Sequence, residues 1–264
     1  ISDHAIIGDC RTAALVSITG AIDWLCLPDF SSPTVFADLI DPKRGGSFVV
    51  RPSQPFTAGR RYLPDTPVLE TTFETATGAA KLLDLCPVLD GLTPMGPMRE
   101  VLRIVEGVAG EVELGINVHA RPDYGRTIPR LQHRGKLGWC WTWANEILVL
   151  RSDVALQPNH RALVGSVTLR PGERRYLSLS YTRSDPAVLP LLGRAADDRL
   201  ARTMAWWQAW AQRCTYRGPY HEAVIRSAIT LQLLTYCLSG AIVTAPTTSL
   251  PEAIGGGRNW DYRY

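Results

Sequence analysis

Glu111-Val112-Glu113-Leu114-Gly115-Ile116-Asn117-Val118 alternates polar or small residues with branched apolar ones at every second position. Successive side chains of a strand point to opposite faces, so this pattern describes a strand with one face in a core and one toward solvent. Reading outward, Arg99 to Gly107 is a second apolar run, expected to pair with Glu111 to Ala120 across a turn marked by Gly107 and Gly110. Trp139 to Leu150, Ala162 to Leu169 and Arg174 to Tyr181 continue the series toward the C-terminus. Toward the N-terminus lie Ser47 to Val50, Val68 to Thr75 and Ala79 to Cys86, the last two joined across Thr77-Gly78. Ala13 to Ile18 and Ala21 to Leu27 flank Thr19-Gly20, a two-residue hairpin signal. Many strands, short turns and no intervening helices predict an antiparallel β-sandwich over residues 1–185.

After Asp185-Pro186 the period changes. Ala195 to Arg213 reads as a helix with Trp206, Trp207 and Trp210 on one side, within a linker over 186–218. Gly218-Pro219 breaks it, and Tyr220 to Leu238 reads as a second helix ended by Gly240. Its apolar residues (Ala223, Val224, Ile225, Ala228, Ile229, Leu231, Leu233, Leu234, Cys237) cover most of the circumference. Such a helix is expected to be buried on several sides, by partners from further helices downstream.

Composition narrows the function. The 264 residues are 45% apolar and 20% charged, with a net charge of +3. That suits a globular protein with a real core, and the scattered basic residues give no stripe for nucleic acid. No apolar run reaches the roughly 20 residues of a membrane helix. Six dispersed cysteines, none in a C-x-x-C pair, predict reduced thiols and a cytoplasmic location. The five histidines show no metal-pair spacing, so neither metal nor cofactor is expected. Gly255-Gly256-Gly257 lacks the Lys-Ser/Thr of a phosphate loop, and no G-x-S-x-G elbow is present. Composition sets no oligomeric state.

Several stretches together resemble the bacterial family 15 glycoside hydrolases, the trehalases, glucoamylases and glucodextranases. They are Ile7-Gly8-Asp9-Cys10-Arg11-Thr12-Ala13-Ala14-Leu15-Val16, Gly20-Ala21-Ile22-Asp23-Trp24-Leu25-Cys26-Leu27-Pro28, Arg61-Tyr62-Leu63-Pro64-Asp65-Thr66, Pro122-Asp123-Tyr124-Gly125, and Ala245-Pro246-Thr247-Thr248-Ser249-Leu250-Pro251-Glu252 continuing through Gly256 to Tyr264. They span the chain in the family's order, nearest its trehalase-like branch. The resemblance implies a sandwich followed by an (α/α)6 barrel, of which residues 219–264 are the first, incomplete part. It also implies an inverting exo-acting α-glucosidase whose substrate is trehalose or a malto-oligosaccharide. In the family a Trp-x-Arg-Asp sequence follows the segment matching Asn259 to Tyr264, and both catalytic glutamates lie further on. Beginning on Ile1 and stopping at Tyr264, the chain therefore reads as an internal piece with no catalytic residue of its own. Tyr262 matches a family tyrosine near the innermost glucose, and Trp260, Asp261 and Tyr264 are its neighbours; these four are the expected substrate-binding residues. Rings and planar polar groups beside a glycine-rich loop suit the lip of a sugar site.

Four carboxylates could be offered as catalytic: Asp9, Asp23, Asp84 and Glu252. Turn capping, a strand-end hydrogen bond or a solvated face accounts for the first three, and backbone fixing in a loop accounts for Glu252. The family's Phe-Asp-Ser-Pro loop is Phe30-Ser31-Ser32-Pro33 here, which loses one charge. That favours packing by Phe30 and Phe36 at a domain interface over substrate contact. The competing function is a non-catalytic carbohydrate-binding or assembly module. It would stack sugar on Trp139, Trp141 and Trp143, which share one side of a strand that could equally be core.

Overall fold

The computed structural model describes residues 3–88, 99–183, 189–247 and 255–257. Two eight-stranded antiparallel sheets face one another, and two helices follow. Strands are numbered in chain order. The first sheet runs β1 (His4–Gly8), β2 (Ala13–Ser17), β3 (Ala21–Cys26), β5 (Phe48–Pro52), β10 (Val112–Val118), β15 (Ala162–Leu169) and β14 (Gln157–Asn159), with β4 (Thr34–Phe36) on β3. The second runs β11 (Arg130–His133), β12 (Trp139–Trp143), β13 (Glu146–Ser152), β16 (Arg174–Arg183), β9 (Arg99–Gly110), β8 (Gly78–Leu85), β7 (Leu69–Thr75) and β6 (Phe56–Tyr62).

The alternating strand behaves as its sequence predicts: Val112, Leu114, Ile116 and Val118 are buried while Glu113 and Asn117 face out. Its expected partner is wrong. β9 is flanked on both edges by β8 and β16, so it offers no edge to β10, which pairs with β5 and β15 instead. The chain changes sheet at Glu111, whose backbone N–H donates to the Thr77 carbonyl at 3.1 Å. The two hairpins read from Thr19-Gly20 and Thr77-Gly78 are both present. Gly20 sits at φ +80°, and a Cβ there would lie 2.3 Å from the Val50 carbonyl oxygen. The run read as Trp139 to Leu150 is two strands, turned at Ala144 with φ +43°.

Between the sheets lies a continuous apolar core that takes in Phe36, Phe48, Phe73 and Trp141. One charged pair crosses it. The fully buried Arg103 guanidinium donates to Asp84 at 2.7 Å and to the Phe48 and Gly20 carbonyls of the opposite sheet, and lies 4.7 Å from the Phe48 ring centre. Four of its five N–H groups are bonded, with all three nitrogens engaged, as a charge buried this deeply requires. Asp84 is thus a structural counter-ion rather than a capping or solvated group.

Two helices cover the second sheet and its end. α1 (Arg194–Ala211) lays Ala196 and Leu200 on Leu83, Leu85, Leu102, Ile104 and Tyr176. α2 (His221–Leu233) ends five residues before the end its apolar pattern predicts. After Leu233 the backbone turns away, because Cys237 N–H donates to the Cys10 carbonyl at 2.9 Å and Tyr236 N–H to Ala241 at 2.8 Å. Only one face of α2 is buried, through Ile225, Ile229 and Leu233. Leu231 is 55% exposed and Val224 36%, with Ala223 and Ala228 beside them.

Candidate functional site

Two of the stretches quoted above, the one around Asp9 and Arg61 to Thr66, meet where the helices dock on the sandwich. In the β1–β2 loop, Asp9 Oδ1 accepts the backbone N–H groups of Arg11 and Thr12, each at 3.0 Å. That local turn holds Cys10 at φ +64°, a conformation an aspartate-capped loop can support. The Thr12 hydroxyl donates to the Cys26 carbonyl, and Phe30 N–H donates to the Arg11 carbonyl at 2.8 Å. The loop thereby presents Cys10 to α2, where its thiol donates to the Gln232 carbonyl at 3.2 Å. Burial pushes that thiol well above the ordinary cysteine range, so it packs and bonds rather than acts as a nucleophile.

Arg61 to Thr66 does related work from the other sheet. The Tyr62 hydroxyl accepts from Ile6 N–H at 2.9 Å and donates to the Ile6 carbonyl at 2.8 Å, tying β6 to β1. Arg226 of α2 lies 4.1 Å from the Tyr62 ring centre and donates to the Thr66 carbonyl at 2.6 Å. Gln208 of α1 reaches the Pro64 carbonyl at 3.3 Å. A further anchor joins Arg199 of α1 to the buried Glu100, which also accepts from Ser178 at 2.6 Å. Sequence reading missed Arg226 and Arg199, although Arg226, the lone arginine inside the apolar run of α2, is a usable sign of a buried partner.

Around this joint a small charged group forms on the sandwich side. Arg99 donates to the Pro28 carbonyl at 3.2 Å and lies 3.9 Å from Asp29, while Arg11 lies 3.4 Å from Asp9. Burial lowers the Arg99 guanidinium, and the nearby Arg11 charge adds to it. Phe30 meets Tyr236 edge-on at 6.1 Å within the helix-side cluster, as expected of an interface residue. Phe36 does not share that role; it packs on Phe48 in the sandwich core. The Trp24 indole N–H donates to the Pro246 carbonyl at 2.9 Å, so the segment leading to the glycine-rich loop is tied to β3.

Tyr262, Trp260, Asp261 and Tyr264 lie outside the described residues, as does Glu252. Of the other candidate carboxylates, Asp9 caps its loop and Asp84 pairs with Arg103. Asp23 accepts from His4 at 2.7 Å, and burial raises its carboxyl above the usual range. None of the three forms a pair flanking open space. Among the described residues no three metal-ligating side chains come together, and no helix is long and apolar enough to cross a membrane. The tryptophan side of β12 is core: Trp141 is fully buried, and Trp139 and Trp143 pack on the sandwich interior.

Comparison with known proteins gives one family model, a trehalase-like N-terminal domain, matching residues 1–155. Curated relatives match end to end. A trehalase of Thermoplasma volcanium is 35% identical, covering 100% of this chain and 42% of that protein. A trehalase of Mycobacterium tuberculosis is 31% identical with the same two coverages. Trehalase 1 of Sulfolobus acidocaldarius is 32% identical over 98% of this chain and 42% of its own length. The chain thus spans about two-fifths of the length of the curated relatives it matches.

Proposed function

Because the chain belongs to the family defined by the trehalase-like N-terminal domain, we propose that it is part of an inverting, exo-acting α-glucosidase of the family 15 type. In this reading residues 1–185 are the sandwich, 186–218 the linking helix, and 219–264 the opening of an (α/α)6 barrel. The observation that carries it is the chain-long similarity to trehalases. The half-buried α2 adds to it: its outer face, with Ala223, Val224, Ala228 and Leu231, is the kind of surface a neighbouring helix would cover.

The reaction is hydrolysis of trehalose or of a terminal α-glucosidic bond, releasing the attacked unit as β-glucose; from trehalose the leaving glucose keeps the α configuration. One carboxylic acid protonates the leaving oxygen and a second carboxylate activates water on the opposite face, about 6.5–9.5 Å away. The described residues contribute no such pair. Their part is to fix the docking of the helical region, and through Trp24 and Pro246 the course of the chain toward Trp260, Asp261, Tyr262 and Tyr264 at the sugar. The substrate-side partner is therefore an α-glucoside, and no cofactor takes part.

The test is glucose release from trehalose and maltotriose, with the product anomer followed by proton NMR. A longer protein containing this chain should release β-glucose first from maltotriose and equal amounts of β- and α-glucose from trehalose, while residues 1–264 alone should match a buffer control. Turnover by the short chain, or α-glucose as the first glucose released from maltotriose by the longer one, would sink the proposal.

A further inference from the structure

At the end of the sandwich opposite ends of both sheets frame a separate cleft of about 100 Å³. Pro28 and Ser32 of the loop after β3 form one wall, Asp123 a second, and Trp143, Glu146 and Arg183 of the second sheet a third. The cleft draws on two of the stretches noted in the sequence, the Phe30 loop, whose Phe30 ring packs on Tyr236 of the helical side, and Pro122 to Gly125. Three features make it more than a packing gap. Glu146 Oε1 is held by Arg183 at 3.3 Å, but its Oε2 is buried and has no hydrogen-bond partner among the described residues. Asp123, Tyr124 and Gly125 stand consecutively at φ +54°, +53° and +80°. Two successive non-glycine residues in the left-handed region are costly, and such strain is retained where the surroundings or a function demand it. Trp143, third of the tryptophan series, is half-buried and lines the cleft, whereas Trp141 is sealed in the core.

We propose that this cleft binds the terminal hexosyl residue of a neutral sugar. Two carboxylates against one arginine leave the cleft net negative, which disfavours phosphates and carboxylates as ligands. A carboxylate oxygen lacking a donor accepts readily from a sugar hydroxyl, in a charge-assisted bond. An indole beside it suits the C–H side of a pyranose. The volume equals that of roughly three waters, so it admits the edge of one ring and excludes the middle of a glucan chain. The site is independent of the catalytic reading, since none of its residues belongs to the helical region.

The experiment is a titration of residues 1–264 with methyl α-D-glucopyranoside and with trehalose, followed by tryptophan fluorescence and saturation-transfer NMR. Wild type should saturate at a dissociation constant on the order of 1 mM. Glu146→Gln and Asp123→Asn, each checked for folding by circular dichroism, should weaken binding about tenfold. Asp123 lies in a turn, so its variant carries the test if the Glu146 variant does not fold. Absence of saturation in wild type, or undiminished binding in the folded variants, overturns the inference. Either result leaves glucose release by the longer protein untouched, so the two proposals fail separately.

Discussion

Two arginines hold this molecule together in contrasting ways. Arg103 is enclosed between the sheets, paired with Asp84 and bonded to carbonyls of the opposite sheet. Arg226 sits at the edge of the sandwich, where its partners are one carbonyl and the face of Tyr62. The first is part of a unit whose core closes on itself; the second fastens a helix that is buried on one face only. The difference teaches that the sandwich should keep its structure when the joint is loosened, whereas the joint cannot survive loss of the sandwich.

The comparison breaks most sharply at Arg103. Arg103→Leu strands Asp84 in the core without a counter-charge, which should cost about 3–5 kcal/mol, read as a shift in the urea midpoint. Adding Asp84→Leu should recover much of that loss, because a shaped apolar pair has no buried charge to satisfy. A loss below about 1 kcal/mol would mean that water reaches the pair and that the sandwich interior is not closed.

Ile229→Ala sharpens the other side. Ile229 is 1% exposed in the cluster formed with Trp207, Phe30 and Leu233. Removing three carbons there should cost about 2–4 kcal/mol. The loss should fall on the joint: hydrogen exchange should quicken through α2 while the amides of β8, β9 and β16 stay protected. Equal loss of protection in those strands would show that the helices and sandwich unfold as one unit.

How far this was legible in the sequence follows from the same contrast. Period-2 alternation marks a strand that is buried on one face, so β10 was readable down to which residues point inward. It carries no information about which strand lies alongside, and the β9–β10 pairing failed for that reason. The short pieces β4, β11 and β14 were missed because they contain too few residues to show a period, and the edge strands β1 and β6 were missed as well, β6 because Thr57 to Arg61 holds only Ala58 as an apolar residue. The apolar pattern of α2 overran its true end because Leu234 and Cys237 are apolar for a different purpose, contact with the Cys10 loop. Asp84 and Arg103 were opaque because a buried ion pair between neighbouring strands has no fixed spacing in sequence. The stretches shared with the trehalase family were visible as patterns. The work of two of them, the stretch around Cys10 and Arg61 to Thr66, is fastening helices to a sandwich, and that needed coordinates.

The smallest effect concerns Glu100, the anchor for α1. Burial pushes its carboxyl above the usual carboxylate range, against the opposing pull of Arg199 and the Ser178 hydroxyl. The folded protein therefore holds this proton to higher pH than the unfolded chain does. Above about pH 4.3, where an unfolded glutamate loses its proton, the folded state binds more protons, so this group's contribution to stability falls as pH rises. Glutamine imitates the protonated acid and does not titrate. Glu100→Gln carries a fixed cost for what it does to Arg199, but that cost cancels when two pH values are compared. Urea unfolding of both proteins at pH 4 and pH 7 should show the variant gaining on wild type toward neutrality. A difference that is flat, or that moves the other way, would mean that Arg199 outweighs burial. Glu100 would then belong with Asp84 as a well-paired interior charge, and the contrast between core and joint would hold for α2 alone.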